Sequence, residues 1–159
     1  MVRLAKVEEL ERLLEIFEIA KVFMKNTGNP TQWNESYPGR EKLIKDIEKE
    51  SFFVIEEDNK IVGCFALIGG DDPTYEKIEG QWLNDSYYGT IHRVASDGTT
   101  KGVFKKALEF ARSKYDHLRI DTHNDNKVMQ NCILNNGFTY TGIIYVDDGT
   151  PRLAYEWVK

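Results

Sequence analysis

The chain has little cysteine or proline: two cysteines and four prolines in 159 residues. Cys64 and Cys132 stand far apart with no C-x-x-C spacing, so neither a zinc knuckle nor a disulfide framework is indicated. Positive charge is not in excess. Lysine and arginine total 21 against 26 acidic residues, a formal net charge of -5, which argues against broad binding to nucleic acid or an anionic membrane. A long apolar run is missing too. The stretch "MVRLAKVEELERLLEIFEIAKVF" is laced with charges, unlike a signal peptide or a membrane span. Two free thiols and no such leader make a cytoplasmic location the expectation. Two familiar phosphate loops, G-x-x-x-x-G-K-[ST] and G-x-G-x-x-G, are absent.

What is present suits a folded core: 41% of residues are hydrophobic and 30% charged. There is no internal repeat, low-complexity tract or break in composition, so one domain over residues 1–159 is expected. Apolar residues at three- and four-residue spacing (Leu10, Leu13, Leu14, Phe17, Ala20, Phe23) predict a helix over about 7–25. "NTGNPTQWNESYPG" reads as a long loop, and residues near 40–50 as a short helix with Leu43, Ile44 and Ile47 on its apolar face. "SFFVIEE", the turn Asp58-Asn59 and "KIVGCFALIGG" read as a hairpin. "YEKIEGQWLN" fits a short strand or an irregular excursion. "YYGTIHRVAS" reads as a strand with Ile91 and Val94 inside. A helix follows with Val103, Phe104, Ala107, Leu108 and Ala111 on one face, then the strand "HLRIDTH". "NDNKVMQNCILNNGF" predicts a helix capped by Asn124 or Asp125 and ended by Gly137. "TYTGIIYV", Asp148-Gly149 and "PRLAYEWV" form a closing hairpin. The order is mixed α/β.

Between strand and helix lies Asp97-Gly98-Thr99-Thr100-Lys101-Gly102. A loop feeding a helix leaves backbone N–H groups unpaired at the positive end of the helix dipole, which suits a diphosphate. Gly98 and Gly102 allow close approach; Thr99, Thr100 and Lys101 add donors and charge. By itself the loop fits an ordinary strand–helix turn equally well.

The stretch "IHRVAS" to "TTKGVFKKALEFA", with "LRIDTHNDNKVMQNCILNNGF", resembles the GNAT superfamily of acyl-CoA-dependent N-acetyltransferases. The family loop Q/R-x-x-G-x-G/A aligns with Thr99 to Phe104: the central glycine, Gly102, matches, whereas Thr99 and Phe104 depart from the pattern. Asn126 matches the helix-start asparagine and Gly137-Phe138 the helix-ending Gly-Phe. The N-terminus looks like the family's opening strand and first helix, and "TGNPTQWNESYP" like a subgroup's substrate-side loop, so the resemblance covers nearly the whole chain.

It implies a three-layer α/β fold: a central mixed, mostly antiparallel twisted sheet flanked by about four helices. It implies acetyl-CoA as the donor, its diphosphate held by Gly98, Thr99, Thr100, Lys101, Gly102, Val103 and Phe104, with Asn126 nearby. The family's fourth and fifth strands splay apart around the pantetheine arm. Val94, Ala95 and Ser96 contact it there, and a backbone N–H near Val94 holds the thioester oxygen. The implied partner is a small-molecule or peptide amine, with no nucleic acid or membrane; self-association as a homodimer is left open.

Transfer needs a deprotonated amine. His92 is the first candidate base, placed in the strand with the alternation of Val94, and its ordinary pKa of about 6.5 suits neutrality. His123 is the second. The family's acidic tyrosine aligns with Ile133, which has no proton to give. Neighbouring Cys132 and strand residue Tyr145 are the alternatives, and the acid stays unassigned. Trp33 and Tyr37 are read as part of the acceptor wall. Asp72, Glu76 and Glu79 could attract a cationic amine, but the sequence gives them no place in a pocket. No metal-ligand pattern is read. Rival readings are a non-catalytic acyl-CoA binder and a nucleotide-binding domain unrelated to coenzyme A.

Overall fold

A computed structural model describes residues 1–159. The chain opens with a short strand, β1 (Val2–Leu4), and a 3₁₀ turn at Val7–Glu9 that leads into α1 (Leu10–Asn26). Leu10, Leu13, Ile16, Phe17 and Ala20 make the buried stripe of α1. Phe23, expected on that stripe, is instead exposed: the last turn of α1 runs past the sheet, and Phe23 lines a cavity. α2 (Arg40–Glu48) buries Leu43 and Ile47 and also, unexpectedly, Asp46. The hairpin β2 (Phe52–Glu57) and β3 (Lys60–Gly69) turns at Asp58 and Asn59, both at positive φ.

The ambiguous stretch resolves into a 3₁₀ turn at Pro73–Tyr75 and a two-residue strand, β4 (Glu79–Gly80). β5 (Gly89–Ser96), α3 (Val103–Lys114), β6 (His117–Thr122), α4 (Lys127–Asn135), β7 (Thr139–Tyr145) and β8 (Pro151–Val158) complete the chain. α4 starts two residues later than Asn124, and one later than Asp125, would set it. Its cap is Asn126, whose side chain accepts from the Met129 N–H at 3.0 Å. Gly137 takes the left-handed conformation that ends the helix, at φ +85°.

Eight strands form one sheet in the order β1-β2-β3-β5-β6-β8-β7-β4. Every neighbouring pair is antiparallel except β5 and β6. Two cores sit on opposite faces. α1 and α2 cover Phe52, Val54, Cys64, Ala66 and Ala95. α3 and α4 cover Ile55, Phe65, Leu67, Ile91, Leu118 and Ile120, with Val103, Ala107, Leu108 and Ile133 supplied by the helices. This is the three-layer α/β arrangement expected.

Candidate active site

β5 and β6 pair only at their first residues, Gly89 with Leu118 and Thr90 with Arg119, and then diverge. The divergence opens a cavity of about 1060 Å³, lined from β5 by Ile91 to Ser96 and from β6 by Ile120 to Thr122. On its other flank β5 is interrupted once. Cys64 pairs with Ala95 and Ala66 with His92, so Arg93 and Val94 both stand opposite Phe65. This is a β-bulge, and Arg93 takes φ +54°. Arg93 and Val94 therefore have no ladder partner on either side.

The bulge corrects the alternation read from the sequence. His92 stands opposite Ala66, on the α1–α2 face, whereas Val94 packs with the α3–α4 core. The two point to opposite faces yet line the same cavity, because the sheet is open between them. Val94 is half-buried at the gap rather than fully inside.

His92 Nε2 lies 2.9 Å from Asp72 Oδ2. The cavity includes Asp72, which sequence reading left without a place; the chain after β3 folds back and carries it over β5. Burial pushes the Asp72 carboxyl up. Hydrogen bonds from His92 and Thr74 outweigh this and hold its pKa at about 2. Asp72 is a fixed negative charge beside the imidazole. Glu76 and Glu79 are exposed.

His123 fits a base less well. Its Nδ1 accepts the Asp125 N–H at 3.0 Å, and Nε2 lies 3.4 Å from Thr31 Oγ1. Burial first, and then the charge of Arg152, lowers its pKa below the ordinary value. Tyr145 does not reach inward: it is exposed, with its hydroxyl 3.1 Å from Glu79 Oε2. Ile133 is buried in the core, while Cys132 lines the cavity, its thiol pKa raised by burial.

The glycine loop meets the cavity at both ends, through Ser96, Asp97 and Gly98 and through Val103 and Phe104. Thr99, Thr100, Lys101 and Gly102 form a crest beyond its mouth. Two expected cradle amides are engaged already: the Gly98 N–H donates to Ser96 Oγ at 3.0 Å and the Thr99 N–H to Asp97 Oδ1 at 2.9 Å. Asp97 itself is turned away toward Arg12, 2.7 Å distant. The first bond of α3 runs from the Lys106 N–H to Gly102 O, so the amides from Thr100 to Lys105 are open. Gly98 and Gly102 have positive φ, +79° and +78°, with nothing within 4 Å of where a Cβ would stand. The diverging strands, the open amides and this bare backbone fit a diphosphate joined to a thin arm.

Asn126 borders the cavity but spends its side chain inside the chain, on Met129 and on Gln32 Oε1 at 2.9 Å. It positions the start of α4. Trp33 and Tyr37 do line the cavity. Trp33 also packs edge-on against Phe17 at 5.5 Å, so it is wall and core staple together. The Tyr37 hydroxyl accepts from Arg93 Nη1 at 3.1 Å, and Arg93 is ion-paired with Asp46 at 2.7 Å. Sequence reading missed Asp72, Arg93 and Arg152 as cavity residues. The His92–Asp72 spacing of 20 residues gives no periodic signal, and a lone Arg in a strand gives none either.

The chain is similar to a solved GNAT-family acetyltransferase from Streptococcus agalactiae 2603. The identity is 32%, the TM-score 0.91, and the match spans 100% of this chain and 95% of that one. A putative acetyltransferase from Staphylococcus aureus Mu50 is 25% identical, with a TM-score of 0.73 over 99% of this chain and 98% of the other. The fold is also that of a chain in the NatC complex bound to Gag peptide and CoA: 15% identity, TM-score 0.63, coverage 100% and 98%. No protein-family model matches the chain, and no curated protein matches it.

Proposed function

Because the chain belongs to the GNAT family of acetyltransferases, we propose that residues 1–159 form one domain that moves an acetyl group from acetyl-CoA to a primary amine. The amine belongs to a small molecule or a peptide, and attack is direct, in a ternary complex. One observation carries the reading: a carboxylate-backed histidine, His92 with Asp72, stands on the bulged strand where the sheet parts.

Acetyl-CoA is a substrate and supplies an already activated thioester carbonyl. The open amides between Thr100 and Lys105 would hold its diphosphate, aided by Lys101 and by the bare backbone of Gly98 and Gly102. Val94, Ala95 and Ser96 would line the arm. The Val94 N–H would donate to the thioester oxygen; an oriented donor of this kind contributes ~3–4 kcal/mol to lowering a barrier. With its Nε2–H donated to Asp72, His92 keeps a lone pair on Nδ1, and that atom takes the proton from the amine. Asp72 fixes the tautomer and steadies the imidazolium that forms. Trp33 and Tyr37 would wall the acceptor.

The reading is tested by thiol release from acetyl-CoA across an amine panel, with and without His92→Ala. Turnover that collapses in the variant while acetyl-CoA binding persists is expected. Tight acetyl-CoA binding with no turnover of any amine would instead assign a non-catalytic binder.

A further inference from the structure

Six acidic, arginine or histidine side chains are buried: Asp46, Arg93, His117, Arg119, Arg152 and Glu156. Asp46 is ion-paired with Arg93, and Glu156 with both His117 and Arg119. Arg152 has no such partner. It is 7% exposed, it lines the cavity, and no carboxylate lies within 4.0 Å of it. A buried guanidinium ordinarily has a counter-ion.

What Arg152 does have are neutral acceptors. Nη1 donates to Thr150 Oγ1 at 3.0 Å and to Pro151 O at 2.8 Å, and Nη2 to Gln32 O at 3.3 Å. Those bonds aim the group and leave Nε–H and one Nη2–H, donors on two neighbouring nitrogens, the fork that a carboxylate or phosphate engages. Two aspartates that also line the cavity stand beyond ion-pair distance, the Asp148 carboxyl being held low in pKa by its bonds from Thr150 and, less, by the Arg152 charge. Asp121 Oδ2 accepts the Tyr75 hydroxyl at 2.6 Å, and Asp148 Oδ1 accepts the Thr150 N–H at 2.9 Å. Arg152 shares its alternation on β8 with Ala154, which packs against Tyr75 and Ile144. That is the face toward which the Asp72–Tyr75 segment folds, not the α3 face next to the glycine loop.

We propose that Arg152 binds an anionic group of the acceptor, a carboxylate foremost, so that the acceptor class is an amino carboxylate rather than a polyamine. The inference rests on the acetyl-transfer reading above: the amine lies at His92 and the anion at Arg152.

The test measures thiol release from acetyl-CoA with several amino acids, each beside its carboxamide and its decarboxylated amine, plus one aminoalkyl phosphate. For the unmodified protein the acid is expected to exceed its amide in kcat/KM by on the order of 10²-fold. In Arg152→Gln the ratio falls to about one through a raised acceptor KM, with the acetyl-CoA KM unchanged; Arg152→Lys retains part of the preference. A phosphate used better than the carboxylates supports the site and names phosphate as its ligand. Equal use of acid and amide by the unmodified protein overturns the inference and leaves acetyl transfer standing, whether or not the variants fold. A raised acetyl-CoA KM in Arg152→Gln also overturns it, by giving Arg152 to the donor's phosphates. No turnover of any amine, with acetyl-CoA bound, overturns the underlying reading and the inference with it.

Discussion

β5 has two neighbours and treats them differently. Against β3 it is paired from Gly89 to Ser96, interrupted only at the bulge; against β6 it is paired at Gly89 and Thr90 alone. The closed seam satisfies backbone donors and acceptors within the sheet. The open one leaves them facing a cavity, and the residues suited to chemistry gather there. Beyond the gap the sheet closes again, and β6 and β8 are tied by Glu156, held between His117 and Arg119. One seam is stabilised by burying charge in pairs; the other is kept apart.

The sharpest way to break this contrast is at His92, on the open side. His92→Ala is expected to lower kcat by roughly 10²–10⁴-fold with a smaller loss of stability than a break in the closed seam, read by thiol release and thermal unfolding. The closed side should respond the opposite way. Glu156→Ala strands Arg119 and His117 in the interior and is expected to cost about 3–5 kcal/mol, read by urea unfolding. The kcat of the protein that stays folded should be unchanged. Lost activity without lost stability in Glu156→Ala would erase the distinction.

The closed seams were the legible part of this molecule. Two continuous runs of strand-forming apolar residues, in Phe52–Glu57 and Lys60–Gly69, with Asp58-Asn59 between them, specify a hairpin locally, and the structure has that hairpin. The stripe on α3 and the Gly137 stop were equally local. The open seam was not. The β5–β6 pairing stops at Thr90, and β5 is then bulged at Arg93–Val94, where Arg93 is held by Asp46 and Tyr37, 47 and 56 positions away in the chain by the residue numbers. Alternation across that bulge therefore misled, placing His92 and Val94 on one face. Asp72 and Arg152 reach the cavity through loop and strand placements that no short motif records. The cap of α4 was misplaced for a smaller reason: three polar residues, Asn124, Asp125 and Asn126, compete within one turn, and only the last bonds the Met129 N–H.

Smaller effects sharpen the contrast further. Gly102 sits at φ +78° with open space around it, so Gly102→Val is strained by its backbone and not by a clash. The expected cost is roughly 1–2 kcal/mol, with a raised KM for acetyl-CoA and little change in kcat. Asp72 gives a pH signature. Its folded pKa, about 2, lies below the ordinary 3.8, so its stabilisation is complete above about pH 4 and is lost as pH falls toward 2. In Asp72→Asn that acid-side slope in the urea midpoint should flatten. Lys101, exposed on the loop crest, should matter least. Lys101→Ala is expected to raise the acetyl-CoA KM roughly two- to five-fold, an effect that fades as salt is added.

The central claim is that the donor lies in the gap between β5 and β6, and hydrogen exchange with and without acetyl-CoA measures it most directly. Slower exchange at Val94–Ser96 and at Thr100–Lys105, with the β2–β3 hairpin unchanged, is the predicted result. Unaltered exchange in both segments at saturating acetyl-CoA would contradict it.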